Sequence, residues 1–238
     1  MLAPAMRHLE DLPAGHPCEG CEVRDKAVCG VLDCADLATF KNLGRTVKLT
    51  AGQVLFHEGD PVTRVFTLTT GTLKLYNLLA DGRRHVTGFV YPGGFLGISM
   101  HEEHVFSAEA VDDAQLCWFP RNRFDGFVDG HSPMERELYR MAAHELASAH
   151  QQMVLLGRKT ATERIATFLI VTGGPRMGNL VRLPMSRSDI ADYLGLTKET
   201  VSRVLSAFRR DRLIRLRAMH EVEILDREAL EEVARCAA

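Results

Sequence analysis

Residues 185–214 read MSRSDIADYLGLTKETVSRVLSAFRRDRLI. Ser186, with Asp189 three residues on, predicts a capping box at a helix start, Asp standing in for the usual Glu or Gln. Ile190, Ala191 and Leu194 form one apolar face. Gly195 permits a tight turn, and Leu196 fills its corner. Thr197 is placed to cap a second helix, whose Val201, Val204, Leu205 and Phe208 face a core at helical spacing. Lys198, Glu199, Ser202 and Arg203 remain on its exposed face near the start. This pattern is a helix-turn-helix, a motif whose second helix offers its N-terminal residues to base edges in the major groove. Arg can bind O6 and N7 of guanine with two hydrogen bonds, and Glu can accept from the cytosine amino group. Glu199 and Arg203 stand at i and i+4, so they are also expected to hold each other. The plain alternative is a surface ion pair on a small helical domain.

Working outward, two β-like runs follow, Ile214–Leu216 and Val222–Leu225, so the motif is expected to be winged. Five arginines between Arg209 and Arg217 are suited to phosphates, contacts that position without reading sequence. Upstream, Thr162–Val171 is apolar at helical spacing and stops at Gly173-Gly174-Pro175. Before it, Ala142, Leu146, Ala149, Met153 and Leu156 recur at alternating steps of four and three, and Met134, Leu138 and Met141 extend the stripe. The spacing predicts one helix of about 24 residues, roughly 35 Å long. Its seam suits a second copy of itself, or equally the body of its own chain.

Further upstream the period changes to two. Val47–Leu49, Gln53–Phe56, Val65–Leu68, Leu73–Tyr76, Val105–Val111 and Gln115–Phe119 read as short strands. Gly52, Gly59-Asp60-Pro61, Gly71, Asp81-Gly82 and Pro92-Gly93-Gly94 are the turns between them. Short strands at this spacing indicate a β-roll or barrel. The expected class is α+β: a cysteine-bearing segment over 1–40, a β-roll over 41–131, a long helix over 132–158 and a winged helix-turn-helix over 159–238.

Composition narrows the function. The chain has 238 residues, 46% apolar and 25% charged, enough for a real core. A net charge of −2 excludes a chain-wide basic coat, so nucleic-acid contact must be local. The residues after Gly157 do carry a basic excess over an acidic remainder. No apolar run is long enough to span a bilayer, and the first residues lack a signal-peptide core. A cytoplasmic protein without a membrane partner is expected. No Rossmann or Walker glycine signature accompanies the cysteines, so a regulator is expected rather than an enzyme.

Four of the six cysteines crowd together as Cys18-x2-Cys21-x7-Cys29-x4-Cys34, while Cys117 and Cys236 stand apart. Such crowding in a reducing compartment points to metal or redox chemistry, not to disulfides. If all four local thiols were ligands, structural zinc would fit. Arg24 and Lys26 could favour thiolates, and His16 lies near enough to Cys18 to be a ligand candidate.

Three segments carry a family resemblance. The stretch Gly52–Pro61 with Val65–Gly71, the long helix, and Glu199-x-x-Ser202-Arg203 together resemble the CRP/FNR superfamily of transcription regulators over nearly the whole chain. The last motif resembles the FNR-like, oxygen-sensing iron–sulfur branch of FnrN/FixK type. That resemblance implies a cyclic-nucleotide-binding-like β-roll (a jelly roll), a dimerisation helix and a homodimer on double-stranded DNA. The implied target is a TTGA-N6-TCAA-like palindromic promoter site. It implies Arg203 on guanine, Glu199 on the opposing cytosine and Ser202 on a thymine, with Thr197 and Lys198 beside them. It implies an oxygen-labile 4Fe-4S cluster on Cys18, Cys21, Cys29 and Cys117. The best-known spacing has five residues where this chain has seven between Cys21 and Cys29, and Cys34 stays open as a substitute. The loop Ala80–His85 is similar to one that contacts RNA polymerase in activators of this type. The cyclic-nucleotide cassette of the superfamily is broken here. No Glu precedes Leu96, and Phe106 stands where an Arg would meet phosphate. Cyclic nucleotide is therefore not expected. Haem, with Met100, His101 and His104 as side groups, or a small metabolite, is the competing effector.

Overall fold

The computed structural model describes residues 16, 18–98, 101–173, 179–218 and 220–235. Two 3₁₀ turns, Arg24–Lys26 and Val28–Val31, precede α1 (Cys34–Leu43). Then come β1 (Arg45–Leu49), β2 (Val54–Phe56), β3 (Arg64–Thr70), β4 (Leu73–Leu78), β5 (Arg84–Val90), β6 (Phe95–Leu96), β7 (Ser107–Ala110) and β8 (Ala114–Pro120). Helices α2 (Arg121–Asp129), α3 (Ser132–Arg158) and α4 (Ala161–Gly173) follow. The chain closes with β9 (Leu180–Arg182), α5 (Arg187–Leu194), α6 (Lys198–Arg210), β10 (Ile214–Ala218), β11 (Glu221–Ile224) and α7 (Arg227–Ala234). Contacts divide the chain into two units, residues 1–75 with 89–145 and residues 76–88 with 146–238.

The first unit is a β-roll. One sheet has the order β1-β8-β3-β6, the other β2-β7-β4-β5. Successive side chains of a strand point to opposite faces, and the first sheet buries both. Phe66, Leu68 and Leu116 enter one core together with Leu49, Leu73 and Leu96. Val65 and Phe119 point the other way into a second core with Leu37, Phe40, Phe124 and Phe127. There Phe40 stacks on Phe119 with ring centroids 4.2 Å apart. Each such buried ring contributes roughly 1.5–3 kcal/mol. Val28 and Leu32 of the cysteine segment are fully buried in this second core, so the segment is folded onto the roll. Met134, Leu138 and Met141, on the first turns of α3, pack there too. Strand β4 also buries Lys74, which pairs with Glu109 of β7 at 2.7 Å.

The second unit contains the winged helix-turn-helix. A three-stranded antiparallel sheet, β10-β11-β9, flanks α4, α5 and α6. Arg164 of α4 ties the helix ends together. Its guanidinium donates to the carbonyls of Leu156, Lys159 and Leu194 at 2.7–2.9 Å. These lie at the C-termini of α3 and α5, where carbonyls lack helical partners.

Candidate nucleic-acid interface and cysteine cluster

The capping box forms as read. The Ser186 side chain accepts from the Asp189 amide, and the Asp189 carboxylate accepts from the Ser186 amide. Gly195 ends α5 in the left-handed region at φ 62°, a conformation that a Cβ would penalise. The Thr197 side chain then accepts from the Thr200 amide and starts α6. Val201, Leu205 and Phe208 are buried, whereas Thr197, Lys198, Glu199, Ser202 and Arg203 are all exposed on one side of the helix start. One expectation is corrected: Glu199 and Arg203 do not pair. Arg203 leans back onto the Thr200 hydroxyl at 3.4 Å, and the Ser202 hydroxyl donates to the Lys198 carbonyl. The intrahelical hydroxyl lies closer to the guanidinium than the solvated carboxylate one turn back, so both charged ends stay free for a ligand.

The arginine run divides. Arg215 and Arg217 on β10 both bond Glu223 of β11, which holds the Glu223 carboxyl below the usual range. Arg210 turns to Asp211. Arg212 adopts φ 58°, the sole positive value outside glycine among the described residues. Beside the recognition helix lies a cleft of about 430 Å³, bounded by Arg187, Ser188, Lys198 and His220. Arg187 and Ser188 add to the polar edge of the reader, and no motif in the sequence marks them.

The hairpin tip shows how one loop does two things. Asp81, Gly82 and Arg83 are exposed, with Asp81 accepting from the amide and side chain of Arg83. Arg84 points away from that tip. It bonds Asp189 at 2.9 Å and Asp192 at 3.3 Å, both on α5. The carboxylate that caps the first reader helix is thus shared with the hairpin.

On the roll, Cys117 lies mid-strand on β8, opposite Thr46 of β1 and Thr67 of β3. It shares the face of Phe119 and packs on the second core, against which Cys18, Cys29 and Cys34 are also set. The loop carrying Cys18 to Cys29 is tight: a Cβ on Gly30 would stand 2.4 Å from the Arg24 carbonyl. Burial chiefly, then the fields of Cys18, Cys21 and Cys117, push the Cys29 thiol up to about 12. Burial likewise raises Cys18, which feels Cys117 and Cys21 as well. Four sulfurs from two distant parts of the sequence therefore sit within electrostatic reach of one another. Cys34 is the first residue of α1, beside the Asp33 cap, and packs against the same core.

Among the described residues no three His, Cys, Asp or Glu side chains already stand in metal-holding geometry. The donor set nonetheless fits a soft, thiophilic centre: Cys18, Cys29 and Cys117 are part-buried on one apolar core, part-buried Cys21 acts on Cys18 and Cys29, and cations lie nearby. The cations were only partly foreseen. Arg24 does act on Cys18, but Lys41 of α1 acts on it more strongly and donates to the Cys117 sulfur at 3.1 Å. Lys26 instead packs by Gly93. His16 is engaged, its Nδ1 accepting from the Cys18 amide at 3.2 Å. Met100 and Cys236 fall outside the described residues.

Phe106 and Ser107, which stand where the resemblance places a phosphate cassette, make contacts within the roll. Phe106 packs on the first core near Phe56, and the Ser107 hydroxyl accepts from the Glu58 amide. His104 is buried, stacks on Phe56 at 3.6 Å, and is lowered below its ordinary value by burial. That packing sets its ring against Phe56 of the first core.

Comparison with known proteins agrees with this arrangement. A Crp-like helix-turn-helix domain matches residues 163–233, and a cyclic nucleotide-binding domain matches residues 46–131. The nitrogen fixation regulation protein FixK of Bradyrhizobium diazoefficiens is 42% identical over 203 residues, covering 83% of this chain and 86% of its own. The transcriptional activator protein FnrL of Cereibacter sphaeroides is 34% identical over 231 residues, covering 92% of each. The structure of FixK2 from Bradyrhizobium japonicum superposes with a TM-score of 0.76 at 34% identity, covering 82% of this chain and 99% of that one.

Proposed function

The chain belongs to the CRP/FNR family of DNA-binding transcription regulators, and from that premise we propose an oxygen-responsive activator. It acts as a homodimer on a TTGA-N6-TCAA-like palindrome, and its signal enters through a 4Fe-4S cluster on Cys18, Cys21, Cys29 and Cys117. One observation carries this reading: Cys117, on a central strand of the roll, is gathered with three cysteines nearly a hundred residues upstream. A lone core cysteine would have no reason to meet them.

When bound, such a cluster supplies an oxygen-labile link. The protein does the rest. Cys18, Cys21 and Cys29 fasten the N-terminal segment to Cys117 on β8. Val28 and Leu32 keep that segment on the second core, which also receives Met134, Leu138 and Met141 of α3. Ligation therefore acts where the long helix begins. Coupling to DNA requires that the ligated and unligated states differ in how two such helices pair. In the reader, Arg203, Glu199 and Ser202 face base edges, with Lys198 and Thr197 beside them. Half-site centres about ten base pairs apart match one helical turn and hence a two-fold dimer. The exposed tip Asp81-Gly82-Arg83 is the surface offered to RNA polymerase.

The test is purification without oxygen, followed by iron, sulfide and zinc assay. Wild type and Cys34→Ala are expected to hold about four irons and four sulfides per chain; Cys117→Ala is expected to hold little. Zinc without sulfide in wild type would assign a structural metal site instead.

A further inference from the structure

Lys41 has no place in the scheme so far. It lies on α1 one turn after Leu37 and next to Phe40, both fully buried in the second core. Those anchors fix the helix and set the half-buried Lys41 beside β8. Its ammonium nitrogen is 3.1 Å from the Cys117 sulfur. Its charge also reaches Cys18. A neutral thiol is a weak acceptor, whereas an ionised sulfur makes a charge-assisted bond with an ammonium group. The contact is therefore stronger to a sulfur that carries ligand charge than to a free thiol.

We propose that Lys41 is a positioning residue for the sulfur centre: it orients Cys117 as a ligand and, by its charge and hydrogen bond, favours the more electron-rich state. This rests on the cluster reading above. The step at issue is simple one-electron reduction, in which the oxidised cluster takes one electron from an added chemical reductant and no bond is made or broken. A fixed positive charge beside a ligand sulfur favours the side of that couple with one more negative charge. The bond also sets the Cys117 rotamer from outside the sequence motif that carries the other three thiols.

Anaerobic wild type, Lys41→Met and Lys41→Arg are compared for iron and sulfide content and for midpoint potential by spectroelectrochemical titration. Lys41→Met is expected to load as wild type does and to shift the reduced-to-oxidised ratio at fixed potential about tenfold toward oxidised. That shift is 59 mV for one electron. Lys41→Arg is expected to lie nearer wild type. Poor loading of Lys41→Met with normal loading of Lys41→Arg also supports the role, since the cation then holds the ligand in place. An unchanged midpoint in a loaded Lys41→Met overturns it, as does equal failure of both variants to load. Wild type without iron and sulfide sinks the cluster reading itself, a result distinct from a loaded protein whose potential ignores Lys41.

Discussion

At the scale of single residues, two arginines of the reader play opposite parts. Arg203 stands exposed at the start of α6, tethered only to the Thr200 hydroxyl. Its removal leaves the buried Val201, Leu205 and Phe208 untouched. Arg203→Ala is therefore expected to keep the folded structure by circular dichroism and to lose about 1–3 kcal/mol of preference for the palindrome's guanine. Retained preference in a gel-shift series across base substitutions would remove Arg203 from the base-reading set. Arg212 is strained instead. It occupies the left-handed position after α6, where the Leu213 amide bonds the Phe208 carbonyl and the Arg212 amide bonds that of Arg209. This is the helix ending that glycine ordinarily supplies. Arg212→Gly is expected to stabilise the protein by about 1 kcal/mol, a rise of roughly 2–4 °C in Tm. A lower Tm would mean that the Arg212 side chain contributes more than its backbone strain removes.

At the scale of elements, the long helix divides along its length. Its first turns place Met134, Leu138 and Met141 on the second core. Farther along, Tyr139, Leu146 and Met153 recur every seven residues and are 60% or more exposed. A ridge of large apolar side chains at that interval is the seam of a paired helix. The first turns of the helix serve its own roll, and in the proposed homodimer the exposed ridge is the surface that a second copy covers. Leu146→Glu is expected to give a monomer in sedimentation at micromolar concentration and to weaken palindrome binding at least tenfold. A persistent dimer would place the interface elsewhere. Strong local signals were legible element by element: the capping box at Ser186, the turn at Gly195, the cap at Thr197 and the alternation through β3 and β8. Weak ones were not. Strand β5 (Arg84–Val90) hid behind a polar, glycine-interrupted run, and α2 (Arg121–Asp129) contains Gly126 and alternating charges that obscure its two buried phenylalanines. Arg164 could not be foreseen as a hub, because its three carbonyl partners belong to helix ends that only tertiary folding brings together.

At the scale of the whole molecule, a net charge of −2 averages an acidic roll and a modestly basic reader, and the reader keeps only some of its cations free. Arg215 and Arg217 share Glu223, a pairing across β10 and β11 that offsets one of their two charges and that no linear count of arginines reveals. The cysteine set was legible in a similar, partial way. Spacing alone picked out the local group and left Cys34 and Cys117 as rivals; the folded chain sets Cys18, Cys29, Cys34 and Cys117 against one core, a convergence that linear spacing does not display. No helix among the described residues is long and apolar enough to cross a membrane. The account joins an oxygen-labile link at one end to base reading at the other, and the direct measurement is affinity for a TTGA-N6-TCAA duplex before and after air exposure of anaerobically prepared protein, with iron followed in the same samples. Wild type is expected to lose affinity by roughly tenfold or more as iron is released, and Cys117→Ala to bind weakly in both conditions. Wild type that releases its iron in air yet binds the duplex as tightly as before would contradict the account.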